Sequence, residues 1–419
     1  MKIIATSDWH LGNLFHGNDR LKEHEHFLKW LQDQIKLQLP DALLVAGDVF
    51  DNGNPSAAAQ EAYYGFLTDA TRECPQMKII ITAGNHDSAN RLEAPRTLLS
   101  RNHIEVRGSV RQQWEMTDNG TRRSINYEDL IIPLTAADGT EAVVLAVPFL
   151  RSDVVQGESY SDSVNDFLQT LTREARQRYP GRIVIMMAHM YAKGADIAKN
   201  DASEKIVIGG QEEVSMKGWG DHPDYLTCGH IHKRQHIWGT SWARYTGSVL
   251  PMSFAEKDYH HGVDMVTFSK DGTSEVEFLE YIPQHKLVIL PEDDAELTPK
   301  KLKKLIDESL DARTGDKLGD DFKYVMLKVR RDRMKNDDVK MLENEVAMRN
   351  AVLCKTQKIR PQLEITTITG GKKVTSIEDI LSRDPMDTLK EAFLVKNEKE
   401  MSEHQEQMLR SLLENIKHE

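Results

Sequence analysis

The chain has 419 residues, enough for two or three domains and a large core. Hydrophobic residues at 39% and charged residues at 29% exclude an intrinsically disordered protein, and the absence of any apolar run of about 18 residues argues against a membrane span. A net charge of −12 argues against coating nucleic acid by bulk charge, but leaves metal ions and local basic stripes as ways to hold phosphates.

Residues 2–7 read as a short buried strand, and the apolar run ending at Asp8 is too short for a signal peptide. Residues 19–36 put Leu21, Phe27, Leu28, Leu31 and Ile35 on one helical face, closed before Pro40. Strands over 41–46 and 77–82 and helices over 60–72 and 92–101 continue the alternation, which predicts βαβ units and a mostly parallel sheet. The pattern then becomes strand-rich (105–107, 130–132, 142–147), followed by a helix over 162–179 and a strand ending at His189. Residues 193–219 are polar and suit a long loop over a site. Strands at 225–228, 243–246 and 262–269 read as a second sheet, so the expected core is two packed sheets flanked by helices.

After Pro283 the segments 285–290, 299–310, 323–330, 337–349 and 352–359 alternate strand and helix and form a small α/β unit. Its Lys and Arg residues, dense at 300–304 and 328–335, fit either a solvated face or a surface that guides DNA phosphates. Gly370-Gly371-Lys372-Lys373 reads as a linker to two amphipathic helices, 385–395 and 402–416. Because the linker separates them from the rest, docking on a partner is favoured over folding back on the core. The cysteines Cys74, Cys228 and Cys354 are odd in number and widely spaced, which fits reduced thiols in the cytoplasm.

Polar residues gather where apolar strands end: Asp8 and His10, Gly47-Asp48, Gly84-Asn85-His86-Asp87, His189, and His230 with His232. In α/β sheets ligands bind beyond the carboxyl ends of the strands. Carboxylate, amide oxygen and imidazole without thiolate suit a borderline divalent ion such as Mn²⁺. Asp8, His10, Asp48, Asn85, His189, His230 and His232 are too many donors for one open catalytic ion, but fit two ions about 3.5–4 Å apart. Asp48, isolated at the tip of the central strand, is the natural bridge, and such a pair would activate water for in-line attack on phosphorus. His86 remains to contact phosphate or protonate the leaving oxygen, and Asp87 either to orient His86 or to support the turn. A single His or Asp at a strand end is usually structural; here the ordered set carries the reading.

These motifs, with the fuller strings Thr6-Ser7-Asp8-Trp9-His10-Leu11-Gly12, Ala46-Gly47-Asp48-Val49-Phe50-Asp51 and Tyr245-Thr246-Gly247-Ser248, resemble the calcineurin-like metallophosphoesterase superfamily. Within it they resemble the SbcD family, the nuclease subunits of SbcCD complexes. The resemblance implies a metallophosphoesterase sandwich over 1–280, an α/β capping domain over 281–368 that binds DNA, and a linker with partner-binding helices over 369–419. It implies two Mn²⁺ (Mg²⁺ as the alternative), 3′→5′ exonuclease action on double-stranded DNA and endonuclease action on single strands or hairpins, in repair and recombination. It also implies a homodimer, cytoplasmic and nucleoid-associated, whose C-terminal helices grip an SbcC-type coiled-coil ATPase. Asp8, His10, Asp48 and His232 would hold one ion, and Asp48, Asn85, His189 and His230 the other, with His86 as the catalytic histidine. Some relatives carry a second active-site histidine where this chain has Asp51, so that role stays unassigned. The alternatives are a phosphodiesterase or phosphatase for small nucleotides or phosphoproteins, and a non-catalytic scaffold. The basic cap and terminal helices separate the first from a nuclease, and the full donor set argues against the second.

Overall fold

Short apolar runs alternating with amphipathic helices pair in parallel at the centre of two six-stranded sheets. In one, Lys2–Thr6, Ala42–Ala46, Lys78–Thr82 and Ile104–Arg107 lie parallel, and His261–Phe268 and Ser274–Tyr281 extend the other edge antiparallel. In the other, Glu141–Ala146, Ile183–His189, Tyr225–Gly229 and Ala243–Tyr245 run parallel between the antiparallel edges Ile131–Thr135 and Gln235–His236. The expectation that residues 262–269 join the second sheet is corrected: this strand pairs with Lys2–Thr6 in the first. It is buried on both faces, with Val263 and Met265 toward the helices and Val266 and Phe268 toward the second sheet. Local periodicity does not say which sheet such a strand joins.

The computed structural model describes residues 1–359 except 118–119, 153, 156–158, 198–212, 294–296, 316 and 331–333, and only isolated positions from 390 to 406 beyond them. The linker and terminal helices expected at 370–373, 385–395 and 402–416 lie, apart from those positions, outside the described residues. Met1–Ile359 packs as one unit and Arg360–Glu419 as another. No helix among the described residues is long and apolar enough to cross a membrane.

Period-two alternation builds the layers. Ala42, Leu44 and Ala46 face the second sheet, where they meet Val144, Ile185 and Met187. Leu43 and Val45 face outward onto Phe27, Leu31, Ile35, Tyr63 and Phe66 of the helices Leu21–Gln38 and Ala57–Glu73. Each such side chain contributes about 1.5–3 kcal/mol by burial. Tyr160–Arg178 covers the second sheet in the same way with Phe167, Leu168 and Leu171. The helix expected over 92–101 is broken into Ala89–Glu93 and Arg96–Leu99, because Pro95 cannot donate within a continuous helix. The hairpin Gln112–Thr117/Gly120–Ile125 and the edge strand Ser274–Tyr281 escape the sequence reading, although Gln113-Trp114-Glu115-Met116 and Glu275-Val276-Glu277-Phe278 alternate polar and apolar residues over a few positions.

Three parallel strands, Leu287–Leu290, Lys323–Arg330 and Ala351–Ile359, form a third sheet. The helices Pro299–Ser309 and Asn336–Ala347 bury Leu302, Ile306, Leu342 and Val346 against Val325, Leu327 and Val329. The alternate residues Tyr324 and Met326 pack on Phe15 and Phe254 of the main body. A buried ionic cluster ties the two parts. Arg20 donates from Nε and Nη2 to Glu23 at 2.8 and 2.9 Å, and from Nη1 to the Pro251 carbonyl at 2.5 Å. The Tyr324 hydroxyl donates to Glu23 Oε1 at 3.0 Å. Tyr324→Phe removes a bond to a buried charge, and urea denaturation should show a loss of about 1–3 kcal/mol. An unchanged midpoint would mean that apolar packing alone joins this three-stranded layer to the rest of the body.

Candidate metal centre

The candidate ligands converge because the chain kinks just past each strand. Asp8 (φ 50°), His10 (46°), Asp48 (49°) and His230 (97°) all adopt left-handed backbone that non-glycine residues avoid. Each such residue costs on the order of 1–3 kcal/mol, a strain that collects at functional sites. Asp8 and Asp48 each fall two residues beyond Thr6 and Ala46, the last residues of neighbouring parallel strands. The two strand ends stay zipped together: Asp8 N–H donates to the Gly47 carbonyl at 3.1 Å and His10 N–H to the Asp48 carbonyl at 3.0 Å. Two glycines make room. A Cβ on Gly84 would stand 2.1 Å from Asp48 Oδ1, and one on Gly229 would stand 2.2 Å from the Ala46 carbonyl and 2.7 Å from His189 Nδ1.

Three groups of donor atoms result, each within 4.8 Å of one another: Asp8, His10 and His232; His10, Asp48 and His86; Asp8, Asp48 and His189. Asn85 Oδ1 joins them, 3.0 Å from His189 Nε2 and 3.0 Å from His230 Nδ1. All eight sequence-derived residues are therefore brought to one place. His86 stands closer to the donors than a purely phosphate-facing residue requires, its ring 4.8 Å from that of His10 and edge-on to it.

The surroundings fix ring orientation. His189 Nδ1 donates to the Ala46 carbonyl at 2.9 Å, which turns Nε2 toward Asp48 Oδ2 at 3.3 Å. His232 Nδ1 faces Glu256 Oε1 at 3.1 Å, and His86 Nδ1 donates to the Asp51 carbonyl at 2.8 Å. Behind Asp8, Ser7 Oγ donates to the carboxylate and so must accept from Thr246 Oγ1, 2.7 Å away. Asp87 supports the turn rather than His86: its carboxylate accepts from the amides of Val49, Phe50 and Gly84 at 3.1, 2.9 and 2.9 Å. Of these supports, Glu256, Ser7 and Thr246 carry no signal of their own in the sequence. Ser7 and Thr246 do lie inside the strings Thr6-Ser7-Asp8-Trp9-His10-Leu11-Gly12 and Tyr245-Thr246-Gly247-Ser248, whereas Glu256 lies in none.

Electrostatically the centre is a cation site. Burial opposes ionisation of Asp48, but His189, His10 and His86 outweigh it and hold its carboxyl well below the usual range. Burial lowers His230 to about 3, with His189 adding to the effect, so its ring is neutral and can donate a lone pair. Burial, followed by the neighbouring Asp48 charge, raises the Asp87 carboxyl. The test of fit to a divalent ion lies in His10: its ring is buried, yet neither nitrogen has a hydrogen-bond partner among the described residues. Buried imidazole nitrogens left bare beside carboxylates are what a bound cation satisfies.

Comparison with known proteins identifies the family. The family model for calcineurin-like phosphoesterases matches residues 1–234. The SbcD component of the SbcCD nuclease of Rhodobacter capsulatus is 34% identical over 277 residues, which cover 64% of this chain and 66% of that one, just under two thirds of its length. The Escherichia coli protein of the same name is 31% identical over 312 residues, covering 71% and 72% of the two chains. The Bacillus subtilis one is 30% identical over 274 residues, covering 64% and 66%.

Proposed function

The chain belongs to the calcineurin-like phosphoesterases and, within them, to the SbcD family, and on that premise we propose that it is the nuclease subunit of an SbcCD-type complex. The observation that carries the chemistry is Asp48, whose carboxylate belongs to one donor group with His10 and to another with His189. A carboxylate placed between two sets of imidazoles suits a pair of divalent ions that share it. We assign Asp8, His10, Asp48 and His232 to one Mn²⁺ and Asp48, Asn85, His189 and His230 to the other. When bound, the ions supply Lewis-acid activation of water and charge neutralisation on the phosphoryl oxygens.

The residues do the rest. The Asp48 carboxylate also accepts from the main-chain N–H of His86 at 2.8 Å, which ties the turn carrying His86 to the centre. Because His86 Nδ1 is engaged by the Asp51 carbonyl, Nε2 is the end that meets the substrate. In its protonated form the ring can bond a phosphoryl oxygen or give its Nε2 proton to the leaving oxygen. Residues 281–368 are read as a DNA-binding cap on the 1–280 nuclease domain, and 369–419 as the segment that grips a coiled-coil ATPase. Exonuclease action on duplex ends, endonuclease action on single strands or hairpins, a role in repair and recombination, and a homodimer in the cytoplasm complete the proposal.

The test is Mn²⁺-dependent cleavage of end-labelled duplex and single-stranded DNA beside a small phosphodiester. DNA loss that requires Mn²⁺ and stops with a chelator is expected. Cleavage of the small diester alone, even with the ATPase partner added, would overturn the nuclease reading in favour of a small-substrate phosphoesterase.

A further inference from the structure

Beyond the ligand set, one residue touches both halves of the chemistry. Past the kinks the two strand ends remain joined: Leu11 N–H donates to the Val49 carbonyl at 2.9 Å and Asp51 N–H to the Leu11 carbonyl at 3.2 Å. That zip brings Asp51 beside the loop that follows His10. Asn13 Nδ2 donates to Asp51 Oδ1 at 2.8 Å and pins the carboxylate there. From this position Oδ1 stands 3.6 Å from His10 Nδ1, while the opposite nitrogen, Nε2, stands 3.7 Å from Asp48 Oδ2. At the same time the Asp51 main-chain carbonyl accepts from His86 Nδ1 at 2.8 Å.

We propose that Asp51 is a positioning residue that orients His10 through its side chain and His86 through its main chain. The inference rests on the two-metal reading of the centre. His10 lies between two carboxylates, and its ring can serve a cation only from a nitrogen without a proton. With Asp48 engaged by a cation, the carboxylate left facing the ring is that of Asp51, which keeps the proton on Nδ1 and Nε2 bare. At 3.6 Å the effect is electrostatic rather than a hydrogen bond. It is the carboxylate–histidine–metal arrangement in which an outer carboxylate raises the basicity of a ligating imidazole. The main-chain contact follows a different logic. It does not depend on the side chain at position 51, so substitution there separates the His10 role from the His86 role.

The experiment is Mn²⁺ titration of the full chain without DNA, by calorimetry and by electron paramagnetic resonance, for wild type, Asp51→Asn and Asp51→Glu. Asparagine keeps the shape, the carbonyl and a partner for Asn13, but loses the charge. The expected result is two ions in wild type and, in Asp51→Asn, one ion weakened about 10–100-fold with the other unchanged. The paired-ion resonance should then give way to that of isolated Mn²⁺ at low metal, and Asp51→Glu should recover part of the loss. Two ions of wild-type affinity in Asp51→Asn would overturn the proposal, as would equal weakening of both, which indicates general loosening of the fold. Should wild type itself fail to take up a pair of ions, the two-metal reading falls and this inference with it.

Discussion

Asp48→Ala is expected to reduce Mn²⁺-dependent DNA cleavage by at least about a thousandfold and to impair binding of both ions together. The paired loss distinguishes a shared ligand from a private one. Asp48 stands within reach of His10 on one side and His189 on the other, so its removal takes a charge from both donor groups. Folding should not suffer in proportion. In the metal-free protein Asp48 is a buried carboxylate in left-handed backbone, and its charge adds to burial in raising the Asp87 carboxyl nearby. Removing it relieves that repulsion, at the cost of the bond to the His86 amide and of the His189 partner. Because the histidines that hold the Asp48 carboxyl low lose their partner, the urea midpoint of the metal-free variant should fall modestly, while calorimetry shows both ions lost. If one ion still binds at wild-type affinity, Asp48 is not the bridge.

How much of this could be seen in the sequence follows from what is local and what is not. The strands that carry the donors are short, apolar and bounded, so Lys2–Thr6, Ala42–Ala46, Lys78–Thr82 and Tyr225–Gly229 are legible, and with them the positions of Asp8, Asp48, Asn85 and His230 just beyond. The ordering of polar residues at strand ends carries the site because parallel strands bring their carboxyl ends to one edge. Membership of His261–Phe268 in the first sheet was not legible, since it depends on a partner more than 250 residues earlier in the chain (Thr267 opposite Lys2). Glu256 lies outside every motif string, and Ser7 and Thr246 lie inside two of them without a role that the strings assign; only three-dimensional proximity to His232 and Asp8 gives the three their part. Asp87 illustrates the limit from the other side. Its neighbour in sequence is His86, yet its carboxylate serves the amides of Val49, Phe50 and Gly84.

His86→Ala should leave uptake of both ions intact while lowering the rate of DNA cleavage about 10²–10⁴-fold, the range of a lost general acid. The main-chain bond from residue 86 to Asp48 survives in alanine, so the turn is retained and only the ring is lost. A competing assignment exists, because the His86 ring lies in one donor group with His10 and Asp48 and could serve as a ligand. The two assignments separate in one titration. A ligand's loss weakens Mn²⁺ binding, whereas loss of an acid or phosphate contact leaves it unchanged. Single-turnover cleavage at saturating metal then reads the chemistry alone, and a rate equal to wild type would remove His86 from the mechanism. The leaving group divides what remains. A nitrophenolate needs no proton to depart, so a nitrophenyl phosphodiester should lose much less rate than DNA if His86 protonates the leaving oxygen. An equal loss on both substrates would place the ring on the non-bridging oxygens instead, where its charge acts whatever group departs.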